Sequence, residues 1–100
     1  MSKAKITDEE YRRFEDIMFK IWRVLDFGDD EFTQDEILHI NRSFEQLNVE
    51  HPREYDIIVR HHLKHTYYTT IAREQNVSEG YIRKLAKNGA YYFLEIYDKK

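Results

Sequence analysis

Within its first 36 residues the chain twice places a threonine three positions ahead of a glutamate and directly before an apolar run, at Thr7-Asp8-Glu9-Glu10 and at Thr33-Gln34-Asp35-Glu36. Such a pair starts a helix, because the hydroxyl and the carboxylate satisfy backbone N–H groups that the first turn leaves without partners. Behind the first box, Tyr11, Phe14, Ile17, Met18, Ile21, Val24 and Leu25 fall at three- and four-residue spacings. That spacing predicts one buried stripe on a helix from Asp8 to about Phe27, where Phe27-Gly28-Asp29-Asp30 breaks the pattern. Behind the second box, Ile37, Ile40, Phe44 and Leu47 are expected to face inward on a helix ending near Asn48.

The same period continues to the end of the chain. Pro52 sits where a first turn tolerates a missing N–H, and the helix after it carries Tyr55, Ile58, Val59, His62 and Leu63 on one side. A polar joint, Lys64-His65-Thr66, is followed by two more helices, roughly Tyr68–Gln75 and Ser78–Tyr97, the second with Ile82, Leu85, Gly89, Tyr92, Phe93 and Ile96 inward. No run alternates with period two for long enough to demand a sheet, and there is no internal repeat or low-complexity tract. The expectation is an all-α fold of about five helices.

Composition sets the limits on what such a fold can do. A chain of 100 residues with 41% hydrophobic and 15% aromatic content has enough apolar material for one real core, so residues 1–100 are expected to form a single domain. The absence of cysteine excludes disulfides, thiol catalysis and Cys-based zinc sites and fits a reducing compartment. The first residues lack an apolar signal region and nowhere do 18 apolar residues run together, so the expectation is a cytoplasmic protein without a membrane segment. No Gly-rich phosphate loop, Gly-x-Ser-x-Gly or cysteine nucleophile is present, which argues against the common enzyme classes and against a cofactor.

Charge is divided unevenly. Residues 1–50 hold 7 Lys/Arg against 13 Asp/Glu, whereas residues 51–100 hold 9 against 6 together with four of the five histidines. Phosphate binding needs local positive charge rather than a basic whole molecule. An acidic N-terminal helical hairpin (1–48) is therefore set against a C-terminal half (49–100) whose charge permits contact with nucleic acid.

That half contains "TIAREQNVSEGYIRKLAK" at 70–87. Two closely crossing helices need a small residue mid-way along the first, a residue tolerant of left-handed backbone in the turn, and apolar anchors on both. Ala72 is the small residue, Asn76 holds the turn position, Ile71, Val77, Ile82 and Leu85 are the anchors, and Ser78 is a good N-cap for the second helix.

From Leu47 to about Leu94 these elements resemble region 4 of bacterial sigma-70-type factors and, more loosely, the sigma-like regulators of phages and mobile elements. The resemblance is carried by Arg53-Glu54-Tyr55-Asp56-Ile57-Ile58 in the preceding helix, Thr66-Tyr67-Tyr68 in the joint, Thr70-Ile71-Ala72, and Val77-Ser78-Glu79-Gly80-Tyr81-Ile82-Arg83. Thr70 stands where the family usually has Glu, Asn76 where Gly is usual, and no sigma region 2 precedes, so promoter melting is not implied. The resemblance implies a helix-turn-helix whose recognition helix lies in the major groove with Ser78, Glu79, Arg83, Lys84 and Lys87 along its exposed face. On physical grounds Arg83 suits guanine O6/N7, Lys84 and Lys87 suit phosphates, and Glu79 could accept from cytosine N4 or exclude a wrong base. Thr66, Tyr67 and Thr69, with the N–H groups at the start of the helix before the turn, suit a phosphate. The ending "YYFLEIYDKK", with "FTQDEIL" earlier, is similar to short stretches of a small phage anti-sigma protein.

The expectation is a regulator that binds double-stranded DNA, assisted by RNA polymerase, a sigma factor or a second copy of itself, since one short recognition helix rarely supplies enough affinity alone. The alternative is a protein-binding regulator of polymerase or sigma that never touches DNA; a ring-forming small terminase subunit is a third. Trp22, placed beside the first stripe, is expected to be exposed and is the first residue to test at an interface. Two further clusters are weaker. His61 and His65, four apart on one helical face, could both reach a metal ion, but His39 and His51 are not placed to complete a site, so no metal is expected. Asp29, Asp30, Glu31 and Asp35 lack the alternating oxygen ligands and terminal Glu of a calcium loop and are expected to form a solvated turn.

Overall fold

The computed structural model describes residues 6–28 and 32–99, and among these the chain is all-helical, with five α-helices and no strand. Helix α1 spans Asp8–Phe27, α2 Gln34–Glu50, α3 Pro52–Ile58, α4 Tyr68–Gln75 and α5 Glu79–Asp98. Both threonine boxes form as their spacing requires. Thr7 Oγ1 accepts from Glu10 N–H at 3.1 Å while Glu10 Oε1 accepts from Thr7 N–H at 2.9 Å, and Thr33 and Glu36 repeat the pair at 3.1 and 2.8 Å. Gly28 ends α1 at φ 68°, a conformation that costs glycine nothing, and its N–H bonds back to Val24 O.

Helix α5 is the axis of the fold: α2, α3 and α4 pack on it along its length, and α1 crosses it. Two buried clusters result. The larger joins Phe14, Met18 and Ile21 of α1 to Ile40 and Leu47 of α2, Ile58 of α3, and Ala90, Phe93 and Leu94 of α5. The smaller joins Ile57, Tyr68, Ile71, Ala72, Ile82, Leu85 and Ala86, and so holds α3, α4 and the first half of α5 together. Helices α1 and α2 thus have α5 as a shared support, and they meet each other at their loop end. An Arg13–Asp98 pair, bidentate at 2.6 and 2.8 Å, fastens α1 to the end of α5.

The structure departs from the periodic reading in four places. Leu25 and Ile37, expected in the core, are 64% and 41% exposed. They lie towards the α1–α2 connection, where no third helix among the described residues covers them, and with Val24, Phe32 and Ile40 they line an apolar groove of about 100 Å³. The helix after Pro52 does not run on in α form, for Val59–Leu63 widen into a π-helical turn in which Lys64 N–H reaches Val59 O. His65 then takes a left-handed φ of 55°, so His61 and His65 do not share a helical face. Trp22 is half-buried, packed against Phe19, Phe27 and His65 with its indole Nε1 unpartnered. The Asp29-Asp30-Glu31 part of the acidic cluster lies outside the described residues.

Candidate nucleic-acid interface

Helices α4 and α5 are joined by three residues. Asn76 adopts φ 59°, ψ 44°, and its N–H bonds back to Arg73 O while Val77 N–H bonds to Ala72 O, so the turn reverses the chain without leaving the end of α4 unsatisfied. Asparagine tolerates this left-handed conformation better than other non-glycine residues. Ser78 then caps α5, its Oγ accepting from Tyr81 N–H at 3.1 Å. Ala72, nearly fully buried, allows the two helices to approach, and Ile71 and Ile82 are fully buried on either side of the turn. The angle of α4 is secured by two arginines, one on the π-helical turn and one on α3: Arg60 bonds Glu74 at 2.6 Å and Arg53 bonds Gln75 Oε1 at 2.8 Å.

On α5, Arg83 and Lys87 are exposed and Glu79 and Lys84 half-buried. Arg83 is engaged within the protein. Its Nε donates to Glu79 at 2.7 Å, and its guanidinium stands 4.9 Å from the centre of the Tyr68 ring. Tyr67 is 74% exposed and Thr69 is exposed at the start of α4, which no side chain caps. Thr66 is half-buried, and its backbone is committed: its N–H donates to Arg60 O and its carbonyl bonds His61 Nδ1 at 2.9 Å, so it serves the π-helical turn.

Sequence reasoning missed the other wall of this face. Tyr11 and Glu15 of α1 stand across from Arg83, Lys84 and Lys87, and with His61, Tyr68 and Gly80 they enclose an open cleft of about 680 Å³. Lys87 Nζ lies 5.6 Å from the centre of the Tyr11 ring, and His61 stacks on Tyr68 at 3.6 Å. Burial, with the Tyr11 contact added, pushes the Tyr68 hydroxyl far above the ordinary phenol range, so it stays a neutral donor. Tyr11 belongs to the apolar stripe of α1, and nothing in the sequence relates that stripe to a lysine 76 positions away.

Near the cleft, half-buried His62 stands edge-on to Phe14 at 5.1 Å, with its Nε2 buried and unpartnered. Burial first, then the nearby His61 and His65, lower its pKa to about 4 from 6.5. A folded-state pKa below the unfolded value means that the unfolded chain binds the proton better. The stabilisation is therefore full above about pH 6.5 and is lost as pH falls towards 4, with a slope of up to about 1.4 kcal/mol per pH unit. Burial lowers the His61 pKa as well, in the same sense. Urea unfolding at a series of pH values is expected to show this loss, and His62→Phe to flatten it; an unchanged slope in the variant would assign the acid sensitivity elsewhere. Among the described residues no three His, Asp or Glu side chains stand close enough to hold a metal ion. None of the described helices is long and apolar enough to cross a membrane. Compared with known proteins, the chain matches no family model, no curated protein and no solved structure.

Proposed function

We propose that the chain is a cytoplasmic DNA-binding transcriptional regulator, of the phage or mobile-element type, in which α4, the turn and α5 form a helix-turn-helix like that of sigma region 4. The observation that carries the reading is the three-residue turn with Asn76 in the left-handed region, which presents the Glu79, Arg83, Lys84 and Lys87 face outward while α3 supports α4 from behind. In this reading α5 enters the major groove, Arg83 reads guanine, and Tyr67, Thr69, Lys84 and Lys87 hold phosphates. The internal partners of Arg83 do not oppose it. An exposed i,i+4 ion pair contributes about 0.3–0.5 kcal/mol and an exposed cation–π contact about 0.5–1, whereas a bidentate guanine contact is worth about 1–3. Thr66 offers only its hydroxyl, since its backbone is committed.

The test is fluorescence anisotropy on duplexes recovered by in vitro selection, repeated across a salt series. Arg83→Ala is expected to weaken specific binding by about 5- to 150-fold, and Lys84→Ala to weaken all sequences alike while lowering the salt slope by about one. Unchanged affinity and slope in both variants would favour a second reading, a protein-binding regulator of polymerase or a sigma factor. That reading draws on a separate observation: Phe19, Leu25, Phe27, Ile37 and Leu38 are all large, apolar and exposed around the α1–α2 end of the molecule. A polymerase subunit, a sigma factor or a second copy would meet the protein there, and Trp22 is the half-buried anchor beneath Phe19 and Phe27.

A further inference from the structure

We propose that a backbone phosphate of the bound DNA strand is seated in the cleft between α1 and α5, so that the N-terminal helix forms one wall of the DNA-binding surface. The inference rests on the DNA-binding reading above and extends it to a helix outside the sigma-like half. Three cations of α5, Arg83, Lys84 and Lys87, line this cleft, and among the described residues Glu15 is the one carboxylate in its lining. Lys87 lies over the Tyr11 ring, which holds its ammonium at the cleft mouth. Gly80 leaves the α5 wall bare: the nearest atom to a Cβ built there is Ser78 Oγ at 4.0 Å, so a sugar-phosphate chain can approach the helix backbone. At about 680 Å³ the space admits a phosphate with its flanking sugars. Phosphate-backbone contacts of this kind fix register without reading sequence.

Glu15 gives the proposal a signature that a merely structural α1 would lack. A carboxylate in the same cleft repels the incoming phosphate, so removing its charge tightens binding, and it does so through the salt-dependent part of the affinity. Anisotropy is measured on a selected duplex with the full chain as wild type, Glu15→Gln, Lys87→Gln, Gly80→Leu and the distant control Lys99→Gln, after circular dichroism melts establish that each is folded. Glu15→Gln is expected to bind about three- to tenfold more tightly at low salt, Lys87→Gln to lose about tenfold and to lower the salt slope by about 0.9, and Gly80→Leu to weaken binding by filling the cleft. Lys99→Gln is expected to change neither quantity. If Arg83→Ala weakens binding while Glu15→Gln and Lys87→Gln both leave affinity and salt slope unchanged, the cleft is not a phosphate seat and the DNA-binding reading stands. If the wild type gives no salt-dependent binding to any selected duplex, both fall together. Inorganic phosphate at matched ionic strength is expected to displace the duplex no better than chloride does; preferential displacement would reassign the cleft to a free anion and overturn the proposal.

Discussion

Phe14→Ala is expected to remove about 3–5 kcal/mol of folding stability, a large part of the total for a domain of this size. Phe14 is fully buried and is the point where three elements meet. Its ring is edge-on to Phe93 of α5 at 5.7 Å and to His62 of the π-helical turn at 5.1 Å, and it sits 6.0 Å from Tyr11 one turn earlier on its own helix. Truncation leaves a hole bounded by α5 and by the half-buried His62 imidazole, and neither can move into it without breaking other contacts. A urea titration followed by far-UV circular dichroism checks the result: the midpoint should fall steeply at unchanged cooperativity, or the transition should vanish into the baseline. A loss under about 1 kcal/mol would mean that α1 does not pack here. Because α1 also carries Tyr11 and Glu15, the same variant should lose the cleft geometry before it loses the α4–α5 turn.

Gly89→Val is expected to be nearly as severe, for the opposite reason. A Cβ at Gly89 would stand 2.5 Å from Ile58 Cδ1 and 3.1 Å from both Ile58 Cγ1 and Glu54 Cβ. Ile58 is fully buried, so its side chain has no space to retreat into. Glycine here lets α3 and α5 approach closely, and overpacking such a contact costs about 1–3 kcal/mol, more for a branched side chain. Alanine would gain about 0.5–1 kcal/mol of helix propensity, too little to offset the clash. A cycle isolates the cause: Ile58→Val deletes the offending Cδ1, so Gly89→Ala with Ile58→Val should be more stable than the two separate losses predict. Strict additivity would show that the close approach is not the origin. Since the α3–α5 contact also sets the direction of α5, partly stable variants are expected to lose DNA affinity beyond their unfolded fraction.

These expectations separate local from long-range information. The Thr7–Glu10 and Thr33–Glu36 boxes, the Ser78 cap and the Asn76 turn were legible because each involves groups within a few residues, whose geometry the chain cannot avoid once the helix starts. The periodic stripes located Phe14, Met18, Ile40, Leu47, Ile82 and Phe93 in the core. Their failure at Leu25 and Ile37 has a plain cause: periodicity names the apolar face of a helix but not whether another element covers its ends. The π-helical turn escaped notice because a single extra residue per turn leaves no mark in an apolar pattern already satisfied by Val59, His62 and Leu63.

The candidate site divides in the same way. The row Glu79, Arg83, Lys84, Lys87 is a helix face and follows from spacing along one element, as do Tyr67 and Thr69 at the start of α4. Tyr11 and Glu15 join them by packing of α1 against α5, and the placement of Thr66 follows from a bond to Arg60 across the π-helical turn. The sequence by itself determined the helices, their caps, the left-handed turn and the cationic face, all consequences of hydrogen bonds and side-chain directions within a few residues. Only the tertiary structure decided which apolar residues stay exposed, that His62 is held neutral, and that an acidic first helix walls the cationic face, because burial and charge proximity between distant segments depend on how the helices pack.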